Sequence, residues 1–187
     1  MTRLILLFVT TLFCPMLYAS STRYAIDTDN TGIKLSWHAF GGILSWANLN
    51  GVTGDVTLNP DNEFNDRIKV TIPVATLVAS NKLLTWQLKS DMFFEAARYP
   101  NIVFTSTRVV TLGNGHFRVF GSLTVKDIQR PVILEATLEE HKAANTLSLH
   151  ANTAISRSAY HMDKFALVVD DRIAIHIDIQ AKAQPTS

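Results

Sequence analysis

Four residues near the end of the chain have the side-chain types of a hydrolytic centre. Ser156, Ser158, His161 and Asp163 could supply the nucleophile, the general base and the orienting acid of acyl transfer. Their closeness in sequence does not create triad geometry, and the sequence has no G-x-S-x-G elbow to expose a serine. We therefore expect no catalytic residue here.

Histidine is the commonest metal ligand, and the sequence contains six of them. Their spacing matches no ligand pattern such as H-E-x-x-H, in which two imidazoles share one helix face. Solvated histidines on the polar faces of strands are the simpler interpretation. We expect no metal and no cofactor. The histidines are His38, His116, His141, His150, His161 and His176.

Aromatic residues indicate a different chemistry, the burial of a long apolar molecule. Each CH₂ group of such a molecule gains about 0.8 kcal/mol on burial, so its site needs a dry, shaped wall rather than reactive groups. Gly121 would leave room in such a wall. The alternative is that these side chains simply fill the core of a small barrel. The candidate wall residues are Trp37, Trp46, Trp86, Phe93, Phe94, Tyr99, Phe104 and Phe117.

Two arginines could contact the polar end of an apolar ligand. Arg98 and Arg157 carry a forked donor group that fits phosphate or carboxylate. Most arginines near strand ends are instead solvated or paired, with contributions of about 0 to 1 kcal/mol. We include Arg157 among the candidate ligand-binding residues.

Composition indicates one ordinary globular domain. The 187 residues include 17 Lys and Arg against 16 Asp and Glu, so there is no basic excess for a nucleic-acid backbone. No linker, charge block or repeat divides residues 20–187. We expect a single domain there that does not bind nucleic acid.

The first nineteen residues are typical of a signal peptide. Arg3 precedes an apolar run from Leu4 to Phe13, and small residues follow at Ala19 and Ser20. The run is too short to span a bilayer, although an uncleaved anchor is the alternative. Cleavage after Ala19 would remove Cys14, the only cysteine, and with it any thiol or disulfide chemistry.

Alternation of apolar and polar residues positions the candidate site on strands. It runs through Ile33, Leu35, Trp37 and Ala39 and recurs in later segments, which predicts about eight strands with one apolar face each. Gly41 and Gly42 would permit a bend or bulge. Residues 80–97 do not alternate and predict two short helices, the second capped by Ser90 and Asp91. An all-β, antiparallel barrel with a helical insertion is favoured over a sandwich because it leaves no exposed edge.

Several motifs resemble those of one known family. Residues 90–104, S-D-M-F-F-E-A-A-R-Y-P-N-I-V-F, resemble the pattern S-x-D-F-F-D-x-x-x-Y-P-x-I-x-F of the YceI-like family. Ile155-Ser156-Arg157-Ser158-x-Tyr160 is similar to its later I-x-R-S-D-F. The resemblance covers nearly all of residues 20–187. Where many members have R-D-x-H-L, this chain has Leu84-Thr85-Trp86-Gln87-Leu88, which favours a less charged ligand head group.

The resemblance implies a secreted bacterial protein with a lipocalin-like barrel whose interior holds a long isoprenoid or related lipid. It also implies dimers and no catalysis. From it we expect a periplasmic, non-enzymatic lipid carrier, a homodimer and transient contact with a membrane. The alternative is a stress-response or interaction module whose barrel is packed solid and binds no ligand.

Overall fold

The computed structural model describes residues 21–59, 66–141 and 145–185. Across these ranges the chain forms antiparallel strands and one α-helix. The strands are β1 (Thr22–Ile26), β2 (Gly32–Ala39), β3 (Ile43–Leu49), β4 (Thr53–Leu58), β5 (Arg67–Pro73), β6 (Val78–Ala79), β7 (Asn101–Gly113), β8 (His116–Val125), β9 (Ile128–His141), β10 (Thr146–Ser156) and β11 (Arg172–Ala183). The helix is α1 (Lys82–Lys89), and short 3₁₀ turns cover Thr28–Asn30, Val74–Thr76 and Ser158–Tyr160.

Eight strands close into a barrel in the order β1, β4, β5, β7, β8, β9, β10 and β11. The closure pairs β1 with the end of β11, where Tyr24 lies opposite Ala183. This arrangement confirms the predicted antiparallel barrel.

The remaining strands lengthen one end of the barrel. β2 pairs with the first half of β11, from Ala174 opposite Ser36 to Asp178 opposite Gly32. β3 then pairs with β2, and the short β6 pairs with β3. At the end of the barrel where β11 no longer pairs with β1, the wall is therefore built from β2, β3 and β6. The helix α1 lies at this same end.

The inward faces follow the alternation in the sequence. Ile33, Leu35, Trp37 and Ala39 are all buried, while Lys34 and His38 between them are exposed. A period of two places alternate side chains on opposite faces of a strand, so the local sequence determines which residues share the face that enters the core. The same pattern in the other strands forms one continuous apolar core.

Phe40, Gly41 and Gly42 form the tip of a hairpin between β2 and β3. Their φ angles are 49°, 81° and 108°, in the left-handed region that glycine adopts without steric cost. The glycines were expected to bend or bulge one strand. Instead the chain reverses there, because three consecutive left-handed residues cannot continue an extended strand.

The predicted helical region contains one α-helix and not two. Asn81 caps α1 by accepting a hydrogen bond from the Leu84 N–H at 2.8 Å, as expected for an N-cap asparagine. Ser90, predicted to start a second helix, ends the first one by donating its N–H to Gln87 and Trp86 carbonyls. Glu95 then adopts a φ of 51°, which interrupts helical backbone and turns the chain toward β7.

Some sequence predictions lie outside the described residues. These are the signal peptide at residues 1–19, the turn at residues 60–62 and most of the turn at residues 143–145. In the part of the chain that is described, no helix has both the length and the apolar character needed to cross a membrane.

Candidate functional site

A cavity of about 520 Å³ opens at the extended end of the barrel; we call it the mouth cavity. Three parts of the chain surround it: the β2–β3 hairpin, α1 with the turns that follow, and the loop between β10 and β11. Its volume is within the range of small-molecule sites, about 300 to 1,000 Å³. Its wall is mostly apolar, with Ser45, Ser80, Asn81, Gln87 and Arg157 as its polar side chains.

A second, smaller cavity of about 80 Å³ lies inside the barrel; we call it the deep cavity. Its wall consists of core side chains such as Leu49, Val56, Phe104 and Ile177, with Thr153 as its one polar residue. The Thr153 hydroxyl already donates to the Ile133 carbonyl at 2.8 Å. The wall therefore offers water few hydrogen-bond partners, which favours hydrocarbon over water. The deep cavity alone is too small for a long chain.

The two cavities share a wall. Leu35, Phe94 and Ile173 line both of them, and Phe94 is almost fully buried. Phe94 has the largest side chain of the three. Phe94 therefore lies between the mouth cavity and the deep cavity.

The loop between β10 and β11 is attached to the helical insertion by two stacked rings. The centroids of Phe93 and Phe165 are 6.2 Å apart, and their planes are inclined by 22°. Both residues line the mouth cavity. Such aromatic pairs contribute about 0.5 to 1.5 kcal/mol beyond their buried area, so this contact holds the two sides of the mouth together.

Arg157 holds the loop between β10 and β11 through hydrogen bonds to its backbone. Its side chain is buried and donates to four backbone carbonyls: from Nε to Asp170 at 2.9 Å, from Nη2 to Val169 at 2.9 Å, and from Nη1 to Lys164 at 2.8 Å and to Met162. A guanidinium has five N–H donors, so most of them are used within the protein. Arg157 lines the mouth cavity, but its main contacts are structural.

Asp171 fixes the two ends of this loop. Its carboxylate accepts a hydrogen bond from the Ser158 N–H at 2.9 Å. The pKa of Asp171 is lowered, first by a hydrogen bond from the Ser156 side chain and then by that from the Ser158 backbone. These bonds stabilise the charged form of the carboxylate.

Tyr160 packs beneath the loop and is almost completely buried. Its hydroxyl has no hydrogen-bond partner among the described residues. Burial raises the pKa of Tyr160 because the charged phenolate would lose its hydration. The ring is therefore a neutral packing element under the mouth.

Half of the candidate wall residues lie at a cavity. Trp37 and Phe93 line the mouth cavity, Phe104 lines the deep cavity, and Phe94 lines both. Arg157 also lies in the wall of the mouth cavity. That these residues bind a ligand stays a prediction.

The other four aromatic candidates lie away from both cavities. Trp86 faces solvent on α1 with 63% of its surface exposed, and the Arg98 guanidinium lies over the Tyr99 ring, 5.1 Å from its centroid. Trp46 and Phe117 are half-buried and line neither cavity. Trp46 alternates with the inward-facing Ala47 and so lies on the outer face of β3. The alternation of side chains along β3 accounts for this outward position of Trp46.

Gly121 faces inward, but the space beside it is filled. A Cβ atom at this position would lie 2.6 Å from two ring carbons of Phe104 and 2.6 Å from the Thr105 carbonyl oxygen. The expected free space at Gly121 is therefore occupied by Phe104, whose ring fits there only because glycine has no side chain.

Several residues of the mouth wall were not among the candidates. They come from three places: the β2–β3 hairpin, α1, and the loop that Arg157 holds. The apolar spacing of Leu84 and Leu88 on the helix was visible in the sequence, whereas Met162 and Phe165 lie in a loop where no periodicity marks them. Those lining the mouth cavity are Phe40, Ile43, Leu44, Leu83, Leu84, Leu88, Met162, Phe165 and Val169.

In the described residues, Ser156, Ser158 and His161 do not form a hydrogen-bonded triad. The Ser156 and Ser158 hydroxyls are 3.0 Å apart, and neither is hydrogen-bonded to the His161 ring. His150 contacts Asp178 at 2.6 Å on the outer face of the barrel. Within the ranges described, no three histidine, cysteine or acidic residues are grouped to hold a metal ion.

Known sequences resemble this chain. The model of the YceI-like domain matches residues 24–181. A UPF0312 protein of Photorhabdus laumondii is 32% identical over 128 residues, which cover 64% of this chain and 63% of that protein. A UPF0312 protein of Vibrio campbellii is 26% identical over 120 residues, which cover 63% of this chain and 64% of that protein. The chain thus spans just under two thirds of these relatives.

Solved structures share the fold. BcnA of Burkholderia cenocepacia superposes with a TM-score of 0.76 at 20% identity, over 83% of this chain and 98% of BcnA. A polyisoprenoid binding domain from Saccharophagus degradans, implicated in plant cell wall breakdown, gives 0.69 at 11% identity, over 86% and 98% of the two chains. The YceI protein of Campylobacter jejuni gives 0.62 at 21% identity, over 75% and 85%. Since the family model spans most of the sequence and the barrel matches these folds, the chain belongs to the YceI-like domain family.

Proposed function

We propose that this protein is a non-catalytic carrier that holds one long apolar lipid, an isoprenoid or acyl chain, with its tail directed into the barrel. The cleaved signal peptide expected at residues 1–19 would place it in the periplasm, and a homodimer is part of the same expectation. The polyisoprenoid binding domain of Saccharophagus degradans, which shares the fold, supports this class of ligand.

The observation that carries the proposal is the pair of adjoining cavities. A mouth cavity of about 520 Å³ meets an apolar deep cavity across Leu35, Phe94 and Ile173. A chain that enters at the mouth would displace Phe94 before reaching the interior. Each CH₂ group buried on this path gains about 0.8 kcal/mol, which favours long chains over short ones.

The mouth cavity also favours a neutral polar head group. Ser45, Ser80, Asn81 and Gln87 are uncharged hydrogen-bonding groups in its wall. Arg157, the charged group there, already donates to four carbonyls. A hydroxyl or carbonyl head group would fit these partners, whereas a phosphate would need cationic donors that are still free.

Native mass spectrometry of the protein purified from its own compartment tests the proposal. We expect one bound lipid per protomer, which extraction and fragmentation would identify. A folded protein that carries no lipid, and that takes up no farnesol or palmitate after delipidation, would contradict it.

One observation favours the alternative of a packed interaction module. The deep cavity measures only about 80 Å³, so the interior of the barrel is nearly filled by its own side chains. A protein isolated without lipid would support this alternative. So would a protein in which an added hydrocarbon occupies the mouth cavity and does not enter the barrel.

A further inference from the structure

Most of the large apolar side chains that are exposed in the described residues lie at the mouth end of the barrel. They come from the β2–β3 hairpin, from α1 and from the loop between β10 and β11. We call six of them the apolar rim: Phe40, Leu44, Leu83, Trp86, Phe165 and Leu167. At least half of each side chain is exposed, and Leu167 is exposed completely.

The apolar rim is continuous with the mouth cavity. Phe40, Leu44, Leu83 and Phe165 are exposed to solvent and also line that cavity. The loop is attached to the hairpin by the Phe40 N–H, which donates to the Val168 carbonyl at 2.6 Å. Apolar side chains therefore extend from the wall of the mouth cavity to the outside of the molecule. Contiguous exposed apolar surface of this kind marks an interaction site.

We propose that the apolar rim inserts into the surface of a lipid bilayer, so that an apolar chain passes between the bilayer and the mouth cavity without crossing water. This inference rests on the proposed carrier function and adds the partner surface through which the ligand enters.

The shape of the rim favours a bilayer over a second protein. Its residues project from three separate segments around an opening: a hairpin tip, the outer side of a helix and a loop. A fluid bilayer adapts to such separate projections, whereas a protein interface needs a complementary surface of its own. A second copy seated there would also cover the mouth cavity. Trp86, Phe40 and Phe165 are of the types that anchor proteins at the membrane interface.

The charges beside the rim fit an anionic or neutral lipid surface. Lys82 precedes Leu83 and Lys164 precedes Phe165, and neither lysine forms an ion pair within the described ranges. Of the three exposed acids of the loop, Asp170 lies 3.7 Å from His38 and Asp171 accepts a hydrogen bond from the Ser158 N–H. Asp163 is the third. Lysine side chains next to inserted apolar residues can extend their charged ends to lipid phosphates.

Vesicle flotation tests the inference with the protein expressed from the complete sequence. The probes are vesicles of phosphatidylcholine alone and vesicles that also contain phosphatidylglycerol. Intact mass must first show that residues 1–19 are absent, because that apolar run would itself bind lipid. We expect the protein to float with both kinds of vesicle, and more of it with the anionic kind.

Two matched variants identify the surface. Leu167→Asp changes a fully exposed side chain that lines neither cavity, and it should reduce vesicle binding about tenfold or more because a buried charge opposes insertion. Leu112→Asp changes another exposed leucine, 52% exposed beside the β7–β8 turn at the opposite end of the barrel, and should leave binding unchanged. Equal loss in both variants, or no binding of the unmodified protein, would overturn the inference.

Comparing ligand uptake from cyclodextrin with ligand uptake from vesicles tests the membrane inference separately from the carrier function. Palmitate presented on cyclodextrin should load both variants equally, whereas palmitate presented in vesicles should load Leu167→Asp more slowly. Vesicle binding without uptake of either palmitate or farnesol would contradict the carrier function and leave the membrane-binding surface supported. A concentration-dependent dimer in light scattering that Leu167→Asp abolishes would assign the rim to a second copy and overturn the inference.

Discussion

The Phe104 ring lies directly over Gly121 on the neighbouring strand. A Cβ atom at Gly121 would be 2.6 Å from the ring and 2.6 Å from the Thr105 carbonyl oxygen. Aromatic rings recurrently cover glycines in this way in sheets, because the ring buries the bare backbone. The contact fills the barrel where the sequence suggests free space.

We expect Gly121→Ala to destabilise the protein by about 1 to 3 kcal/mol, the usual cost of overpacking a core. Chemical unfolding in urea measures the change. Gly32→Ala is the matched control, because a Cβ there meets only the Asn50 side chain at 3.7 Å. If both variants unfold at the wild-type urea concentration, the described contact is wrong.

We expect Arg157→Lys to destabilise the protein by at least about 3 kcal/mol. A lysine ammonium cannot replace the forked guanidinium at four separate carbonyls, and buried carbonyls left unpaired cost about 1 to 3 kcal/mol each. Hydrogen exchange should accelerate most in residues 158–171. Arg98→Lys, at an exposed arginine, should change stability by no more than about 0.5 kcal/mol.

Phe94→Leu should open the passage between the two cavities. A smaller side chain at the shared wall lowers the steric barrier to an entering chain, so we expect palmitate to bind and leave several-fold faster in stopped-flow measurements. Phe117→Leu removes the same atoms from a ring that lines neither cavity and should leave both rates unchanged. Identical rates in the two variants would show that Phe94 does not control entry.

Asp171 should make stability depend on pH in the acidic range. Its pKa is lowered in the folded state, so its contribution is complete above the unfolded pKa of about 3.9 and is lost as the pH falls through the lower folded value. We expect Asp171→Asn to be less stable than the wild type at pH 7, and this difference should shrink as the pH falls below about 3.9.

Urea unfolding between pH 7 and pH 2 measures this difference. Asp163→Asn, in the same exposed loop, serves as the control and should show the wild-type dependence on pH. A stability difference between Asp171→Asn and the wild type that stays constant from pH 7 to pH 2 would contradict the assigned hydrogen bonds.

Alternation predicted the barrel because the face of each strand residue is a local property. Trp37 and Phe104 are buried by parity alone, and the outward position of Trp46 follows from the same rule. The glycines at residues 41 and 42 were expected to bend or bulge one strand, whereas the chain reverses there. Whether such a break bends a strand or reverses it depends on several consecutive φ angles, which the residue types leave open.

By itself, the sequence determined the strand faces, the apolar character of the interior and the family motifs, because each depends on residue type and short spacing. Tertiary structure decided the rest. Only the pairing of β7 with β8 brings Phe104 over Gly121, and only the course of the loop presents four carbonyls to Arg157. Cavity volume likewise depends on how side chains from segments far apart in the sequence pack together, and a local sequence pattern does not encode that packing.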